Sequence, residues 1–252
     1  MKTKINSVAI TGAGGFLGEG IVSVLARHYE LRRVDRRPAP DLPGEDCVLD
    51  VRDLEQCHRI VEGMDALVIA HMASRRNPDA YLDPVQPMDV NVKGCANLFH
   101  AALEHGIQRI CLISSAGTMK GYPEGTYFRR NMAMRSREMY SLSKVLQENV
   151  AEHFNRLHRM PVAVFRPSGI VDASERISKY GADIPPRVEH VVDRRDIGEG
   201  VHKALQLDGL DWEIFYIFGH SSADRICDAA YTRKRLDWSP KFGDAALEAL
   251  YH

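Results

Sequence analysis

The sequence has little that would direct it to a membrane or to nucleic acid. No apolar run approaches the roughly 20 residues that are needed to cross a bilayer. The 33 Lys and Arg residues are balanced by 34 Asp and Glu residues, so charge offers no case for a nucleic-acid or membrane partner. The first residues contain no apolar signal-peptide core, and we therefore expect a cytoplasmic protein. The sequence leaves a homo-oligomer open.

Cysteine is scarce and irregularly spaced. The chain has five cysteines, an odd number, with no CxxC pair and no Cys/His pair at the spacing of a zinc site. We therefore expect no metal site, and free thiols that are buried in the core. These are Cys47, Cys57, Cys95, Cys111 and Cys227.

What is present is an alternation of short apolar runs with longer segments of helical period. The alternation predicts a parallel sheet that is covered by helices, and 252 residues suit one large α/β domain with a small appended lobe. The predicted strands are 7–11, 31–35, 47–49, 66–70, 109–114, 162–166 and 213–218. The predicted helices are 17–27, 54–62, 87–105, 138–158 and 197–205, the last with Asp196 as its N-cap. Residues 168–189 are predicted to form a loop at the carboxyl edge of the sheet, where ligands bind.

A glycine loop follows the first strand and opens the first helix. The segment TGAGGFLG at 11–18 places Gly12, Gly15 and Gly18 three residues apart. The first glycine allows a sharp turn, the second a close approach to a pyrophosphate, and the third close packing of helix on strand. Free N–H groups at the helix start, around Phe16 and Leu17, would hold the anion. A plain glycine turn is the alternative interpretation.

Acidic residues end the second and third strands. A carboxylate at Asp35 can accept two ribose hydroxyl hydrogen bonds and repels a 2′-phosphate, which favours NAD over NADP. Arg36 follows it and could stack on adenine or attract a phosphate. Asp50 and Val51 would contact the adenine ring, although Asp50 also fits the role of a helix-start acid.

Tyr140 and Lys144 form a YxxxK pair that lies on one face of a predicted helix. A tyrosine has a pKa of about 10 in isolation, so it needs a neighbouring ammonium to act as a base near neutrality. Lys144 can supply that charge and also bind the nicotinamide ribose. Ser115, at the end of the fifth strand, would hydrogen-bond the reacting oxygen. We predict these three residues to be catalytic.

Together these motifs resemble the extended short-chain dehydrogenase/reductase family, also called the NAD-dependent epimerase/dehydratase family. The resemblance covers nearly the whole chain, through the glycine loop, Asp35, AHMA at 70–73, NVKG at 91–94, ISSAG at 113–117, YSLSK at 140–144 and RPS at 166–168. It implies that Ala70, His71 and Ala73 lie along NAD. It also implies that Asn91 supports the site through its helix and that Ser168 lies near the nicotinamide.

The resemblance implies a Rossmann-like doubly wound parallel sheet. Residues 1–168 would form the NAD-binding core. Residues 169–252 would add the remaining sheet elements and a small substrate-binding lobe to the same structural unit. Only this short part follows the core, which speaks against a large nucleotide-sugar pocket.

Within the family the chain looks most like the uronate dehydrogenases, which oxidise a hexuronic acid with NAD. That likeness implies contacts of Ser74, Arg75, Ser115 and Ala116 with the sugar. It also implies that Arg176 binds the carboxylate. The chain departs from that pattern at Ala116 and Gly117, where those enzymes carry Asn and His. Two other cations, Lys179 and Arg187, are near enough in sequence to replace Arg176.

Two alternatives remain open. A sugar epimerase or dehydratase would retain its NAD through a closed cycle, and a dinucleotide-sensing protein would bind NAD without turnover. Sensors typically lack the Tyr/Lys pair, which this chain has. The leading prediction is an NAD-dependent dehydrogenase that acts on a sugar or a hexuronate-like sugar acid.

Overall fold

The computed structural model describes residues 4–73, 85–181, 184 and 190–242. Seven parallel strands form one sheet in the order β10-β6-β5-β4-β1-β2-β3. The strands are β1 Ser7–Thr11, β2 Glu30–Asp35, β3 Glu45–Val48, β4 Ala66–Ile69, β5 Arg109–Ile113, β6 Val162–Pro167 and β10 Trp212–Ile217. All residues of β1, β4 and β6 are buried, as expected for central strands with helices on both faces.

The helices cover both faces of this sheet. They are α1 Phe16–Leu25, α2 Leu54–Val61, the single turn α3 Val85–Pro87, α4 Gly94–Glu104, α5 Met139–His158, α6 Arg194–Leu205 and α7 Ala229–Leu236. A π-helical segment, Met88–Lys93, leads directly into α4. Short 3₁₀ turns lie at Ala116–Met119 and Ser221–Arg225.

The core has two main layers, one on each face of the sheet. On one face α1 and α6 pack together, with Ile21, Val201 and Phe215 among the buried residues. On the other face α2, α4 and α5 pack against the sheet, with Leu67 of β4 and Phe99 of α4 among the buried residues. The apolar stripes of the helices thus face the sheet from both sides, which leaves its carboxyl edge open for a site.

A second sheet of three strands lies beyond β6, and two of its strands fall in the segment that we predicted to be a loop. It has the order β8-β7-β9 and consists of β7 Gly169–Asp172, β8 Ile177–Ser178 and β9 Val191–Asp193. The prediction of a continuous loop over 168–189 is wrong for β7 and β8, whereas β9 lies beyond that range. Their partners are distant in sequence or separated by a turn, so two to four residues carry too little periodicity to reveal them.

The start of α6 also differs from the prediction. Asp193 is the N-cap, and its side chain accepts a hydrogen bond from the backbone N–H of Arg195. Asp196 is fully buried instead and accepts backbone N–H groups of Lys241 and Phe242. Both acids suit a helix start, and the tertiary partners of Asp196 decide which of them caps the helix.

The predicted Rossmann-like α/β class is confirmed, and the strand and helix ends agree with prediction within a few residues. The strand predicted last, 213–218, is β10 and joins the main sheet beside β6. The division at residue 168 stays a prediction. The five cysteines are free, and all except Cys47 are buried, as expected. Within the described residues, no helix is long and apolar enough to cross a bilayer.

Candidate active site

A cleft of about 810 Å³ runs along the carboxyl edge of the main sheet. It begins at the glycine loop, passes the ends of β2, β4 and β5, and reaches α5 and the segment after β8. The order of the strands reverses at β1, between β2 and β4, so the cleft lies where doubly wound sheets bind their ligands.

The glycine loop lines the start of the cleft. Gly12 has φ +73°, and a Cβ there would lie 2.7 Å from the Cα of His71. A Cβ on Gly18 would lie only 2.0 Å from the backbone oxygen of Gly12. Gly15 is the N-cap residue of α1 and is exposed. Phe16 and Leu17 follow as the first helical residues, so their backbone N–H groups lack partners within α1.

The ends of β2 and β3 form the next part of the cleft. Asp35 accepts the backbone N–H of Gly14 at 3.2 Å, which ties the end of β2 to the glycine loop. Arg36 lines the cleft and is exposed. Asp50 is held by several hydrogen bonds from Arg52, and these lower the pKa of Asp50. The carboxylate of Asp50 therefore remains charged, and Val51 lines the cleft beside it.

Ala70 and His71 line the middle of the cleft. Burial lowers the pKa of His71 to about 3, so its imidazole is neutral. Its Nε2 lies 3.1 Å from the carbonyl oxygen of Val90, and its Nδ1 lies 2.9 Å from the hydroxyl of Thr11. An Nε2–H tautomer would donate to the carbonyl and accept from the threonine, which satisfies both ring nitrogens.

Asn91 and Ala73 lie beneath the cleft and are not among its described lining residues. The side chain of Asn91 accepts the backbone N–H of Ala73 at 2.7 Å and donates to Ser143 at 2.9 Å. Ser143 in turn donates to the carbonyl oxygen of Tyr140. Asn91 thus links Ala73 to helix α5. Its supporting role, and direct contact of Asn91 or Ala73 with a cofactor, stay predictions.

Helix α5 brings Tyr140 and Lys144 to the far part of the cleft. The ammonium of Lys144 donates to the carbonyl oxygen of Ile113 at 2.9 Å and lies 5.9 Å from the centre of the Tyr140 ring. Burial lowers the pKa of Lys144, and the nearby charge of Lys179 lowers it further. Because this ammonium is fully enclosed, its charge acts on Tyr140 with little screening by solvent.

Ser115 lies two residues after the end of β5 and lines the cleft together with Tyr140 and Lys144. Its hydroxyl accepts the backbone N–H of Gly117 at 3.0 Å and caps the short 3₁₀ turn that Ala116 begins. The structure therefore brings Ser115, Tyr140 and Lys144 to one region, as the motifs predicted. Ala116 is half-buried next to Ser115 but is not among the described residues that line the cleft.

The predicted substrate cations differ in their placement. Arg176 is exposed, has φ +56° and is not among the described lining residues of the cleft. Lys179 lines the cleft, and its ammonium lies 5.7 Å from the centre of the Tyr140 ring. Ser74, Arg75 and Arg187 lie outside the described residues.

The pattern of the sequence did not reveal that Lys179 would reach Tyr140. The backbone N–H of Lys179 donates to the carbonyl oxygen of Ile170 at 3.1 Å, so the residue is held against β7. A short β7–β8 hairpin turns the chain back to the cleft, and the positive φ of Arg176 belongs to that turn. The side chain of Asp172 accepts the backbone N–H groups of Ser174 and Glu175 in the turn of this hairpin. Such an aspartate favours a turn, so it is the local signal that could have predicted the hairpin.

The cleft has the features that a dinucleotide requires. The glycine loop forms a cradle that side chains would fill, and the carboxylate of Asp35 stands at the end of β2. Ser168 lines the cleft, and its buried hydroxyl oxygen has no hydrogen-bond partner among the described residues. A buried polar atom without a partner is unfavourable unless a ligand or water satisfies it. In the part of the chain described, no group of three or more His, Cys, Asp or Glu could hold a metal ion.

Similar proteins have names that agree with this chemistry. The chain is 24% identical to an L-arabinose 1-dehydrogenase (NAD(P)(+)) from Haloferax volcanii, over 95% of this chain and 98% of that protein. It is 29% identical to a uronate dehydrogenase from Pseudomonas putida, over 60% of this chain and 56% of that protein. It also matches 48% of the length of a 3β-hydroxysteroid dehydrogenase/isomerase from Mycobacterium tuberculosis at 29% identity.

Solved structures share the fold. A uronate dehydrogenase from Agrobacterium tumefaciens superposes with a TM-score of 0.79 at 24% identity, over 98% of this chain and 88% of that one. The model of the NAD-dependent epimerase/dehydratase family matches residues 8–198. The chain therefore belongs to this family, the extended short-chain dehydrogenases/reductases.

Proposed function

We propose that the protein oxidises a hydroxyl-bearing carbon of a sugar acid of hexuronate type with NAD, and that Tyr140 is the acid/base residue. The observation that carries the proposal is that two ammonium groups lie within 6 Å of the centre of the Tyr140 ring, at the end of the cleft. Lys144 and Lys179 lie 5.9 Å and 5.7 Å from the centre of its ring.

Bound NAD would supply the hydride acceptor. The chain's own task is to take the proton of the substrate hydroxyl, which would move to the phenolate oxygen of Tyr140 as the carbon is oxidised. Lys144 would stabilise that phenolate beforehand, because an ammonium near a tyrosine favours its ionised form. Ser115 would hydrogen-bond the reacting oxygen and hold it beside Tyr140.

The acidic character of the substrate is supported by the charge of this part of the cleft. Lys179 has no ion pair with any described residue, and its ammonium lies 5.1 Å from the centre of the Tyr180 ring. Among the described residues that line the cleft, the acidic ones are Asp35 and Asp50. Both lie around the ends of β2 and β3, away from the part of the cleft that Tyr140 lines. An anionic group on the substrate would therefore meet positive charge at the Tyr140 end.

The names of the relatives favour the same class. A uronate dehydrogenase and an arabinose dehydrogenase share the family, and both names describe oxidation of a small sugar or sugar acid. We therefore assign the carboxylate contact to Lys179 in first place. Arg176 remains the second candidate for this contact. Residues 182–183 and 185–189, which follow it in the sequence, lie outside the described residues.

The test compares Tyr140→Phe, Lys179→Met and Arg176→Met on a hexuronic acid and on the neutral aldose of matching stereochemistry. Tyr140→Phe should lose at least about 10²-fold in kcat with nearly normal NAD affinity, because only the proton acceptor is removed. Near-normal turnover in that variant would refute the role of Tyr140.

The two cation variants are matched to each other. A charge-assisted hydrogen bond contributes about 1.5–3 kcal/mol, so Lys179→Met should raise KM for the uronic acid roughly 10- to 150-fold and leave the neutral aldose nearly unchanged. The same selective loss in Arg176→Met instead would assign the carboxylate to Arg176. Equal losses on charged and neutral sugars in both variants would reject a carboxylate contact at either residue.

A further inference from the structure

Helix α5 carries a third buried polar residue in line with the catalytic pair. Tyr140, Lys144 and Glu148 are spaced four residues apart, so their side chains share one face of the helix. The side chain of Glu148 is only 1% exposed. None of the roles assigned above uses it.

Glu148 joins the ends of two neighbouring strands. Its carboxylate accepts two hydrogen bonds from Arg166 on β6, at 3.0 Å from Nε and 2.7 Å from a terminal nitrogen. The same carboxylate accepts the hydroxyl of Ser114, the residue that follows β5. The backbone N–H of Ser114 in turn donates to the carbonyl oxygen of Phe165 on β6 at 2.7 Å.

The contacts of α5 hold the two residues that precede Ser115 in the sequence. Lys144 holds the carbonyl oxygen of Ile113, and Glu148 holds the hydroxyl of Ser114. Helix α5 thus hydrogen-bonds to two successive residues before Ser115. The side chains that make these bonds lie on the same helix face as Tyr140.

A buried ion pair is a poor source of stability, because removing both charges from water offsets most of their attraction. The Arg166–Glu148 pair is buried on both sides, with 2% and 1% of the side chains exposed. What such a pair provides well is a fixed geometry, since each partner is held by two directional hydrogen bonds.

We propose that Glu148 is a positioning residue, which acts through Ser114 to set the position of Ser115 relative to Tyr140. Arg166 holds the carboxylate of Glu148, and this carboxylate holds the hydroxyl of Ser114. Ser115, the next residue, is thereby placed at the cleft. The inference rests on the proposed function, in which Ser115 holds the reacting oxygen.

Ser114→Ala is the test variant, because it cuts the link to the active site and leaves the buried ion pair intact. Tyr216→Phe is the matched control, since the Tyr216 hydroxyl lies 3.1 Å from the same Arg166 guanidinium but on the side away from Ser114. Four quantities are measured in each full-length variant: kcat, the NAD dissociation constant, the free energy of unfolding, and amide hydrogen exchange of residues 113–119.

We expect Ser114→Ala to lower kcat by about 10- to 100-fold, the effect of misplacing a reacting group by a fraction of a bond length to about 1 Å. NAD affinity should be nearly unchanged, and amide exchange of residues 113–119 should become faster. Tyr216→Phe should lower the free energy of unfolding at least as much but should change neither kcat nor the exchange of that segment.

Normal kcat and normal exchange in Ser114→Ala would overturn the proposal, and so would equal losses of kcat in both variants. If the unmutated protein oxidises sugar acids while Ser114→Ala is fully active, the proposed function stands and the positioning role fails. If the unmutated protein oxidises none, the proposed function fails. The exchange of residues 113–119 alone then decides whether Glu148 orders the segment.

Discussion

Replacing Gly18 by alanine tests the packing of α1 against the glycine loop. A Cβ at this position would lie 2.0 Å from the oxygen of Gly12 and 2.7 Å from both the Cα and the carbonyl carbon of Ala13. All three are backbone atoms, which cannot rotate away as a flexible side chain can. An ordinary contact therefore requires α1 and the loop to separate by about 1.4 Å at this point.

The magnitude follows from the cost of overpacking. Inserting a methyl group into a packed region costs about 1–3 kcal/mol when the backbone has to move. For a chain of this size each kcal/mol lowers Tm by about 2–4 °C, so we expect a decrease of about 2–12 °C without NAD. NAD affinity should fall as well, because the first N–H groups of α1 are displaced from the loop.

Gly15→Ala is the matched control within the same loop. Gly15 has φ −86°, ordinary extended backbone, and a Cβ there meets only the Gly12 oxygen, at 3.3 Å. Its Tm without NAD should hardly change, whereas NAD should bind more weakly because the new methyl group stands at the wall of the cleft. Thermal unfolding and calorimetric titration with NAD measure both effects. An unchanged Tm in Gly18→Ala, or an equal loss in both variants, would refute the reasoning.

Asp35→Ala should lower the ratio of kcat/KM for NAD to that for NADP, because it removes the repulsion of a 2′-phosphate beside Arg36; an unchanged ratio would contradict this. Lys144→Met should reduce both NAD affinity and kcat, whereas exposed Lys93→Met should change neither; a loss in only one parameter would remove one of the two roles of Lys144. Burial lowers the pKa of His202 to about 4, so the folded protein keeps a neutral imidazole while the unfolded chain gains a proton below about pH 6.5. The free energy of unfolding, measured with urea, should therefore fall as the pH is lowered from about 6.5 to about 4, and less steeply in His202→Gln; equal slopes in both proteins would contradict the contribution of His202.

Local signals made the central part of the fold predictable. β1 and the glycine loop lie next to one another in the chain, and the pair of Tyr140 and Lys144 lies within one helix turn. Such features depend on residues that are close in sequence, so pattern and chemistry agree without knowledge of tertiary contacts.

Other parts depend on contacts between distant residues. Strand β9 pairs with β7, about 20 positions earlier, and Asp196 meets Lys241 and Phe242. The approach of Lys179 to Tyr140 likewise requires the β7–β8 hairpin. Apart from the turn at Asp172, these segments contain no local pattern that identifies their partners, which is why the sequence suggested a loop, a different helix cap and Arg176 as the first anion contact.

The central claim is net oxidation of a sugar acid by transfer of hydride to NAD. The most direct measurement is the amount of NADH, followed by its absorbance, that the purified protein forms from excess NAD and each member of a panel of hexuronic acids and neutral aldoses. The account predicts one NADH for each hexuronic acid consumed, with a lower KM for the charged sugars than for the neutral ones. NAD that stays bound through purification, with sugar converted to another sugar and no net NADH, would contradict it and indicate an epimerase or dehydratase.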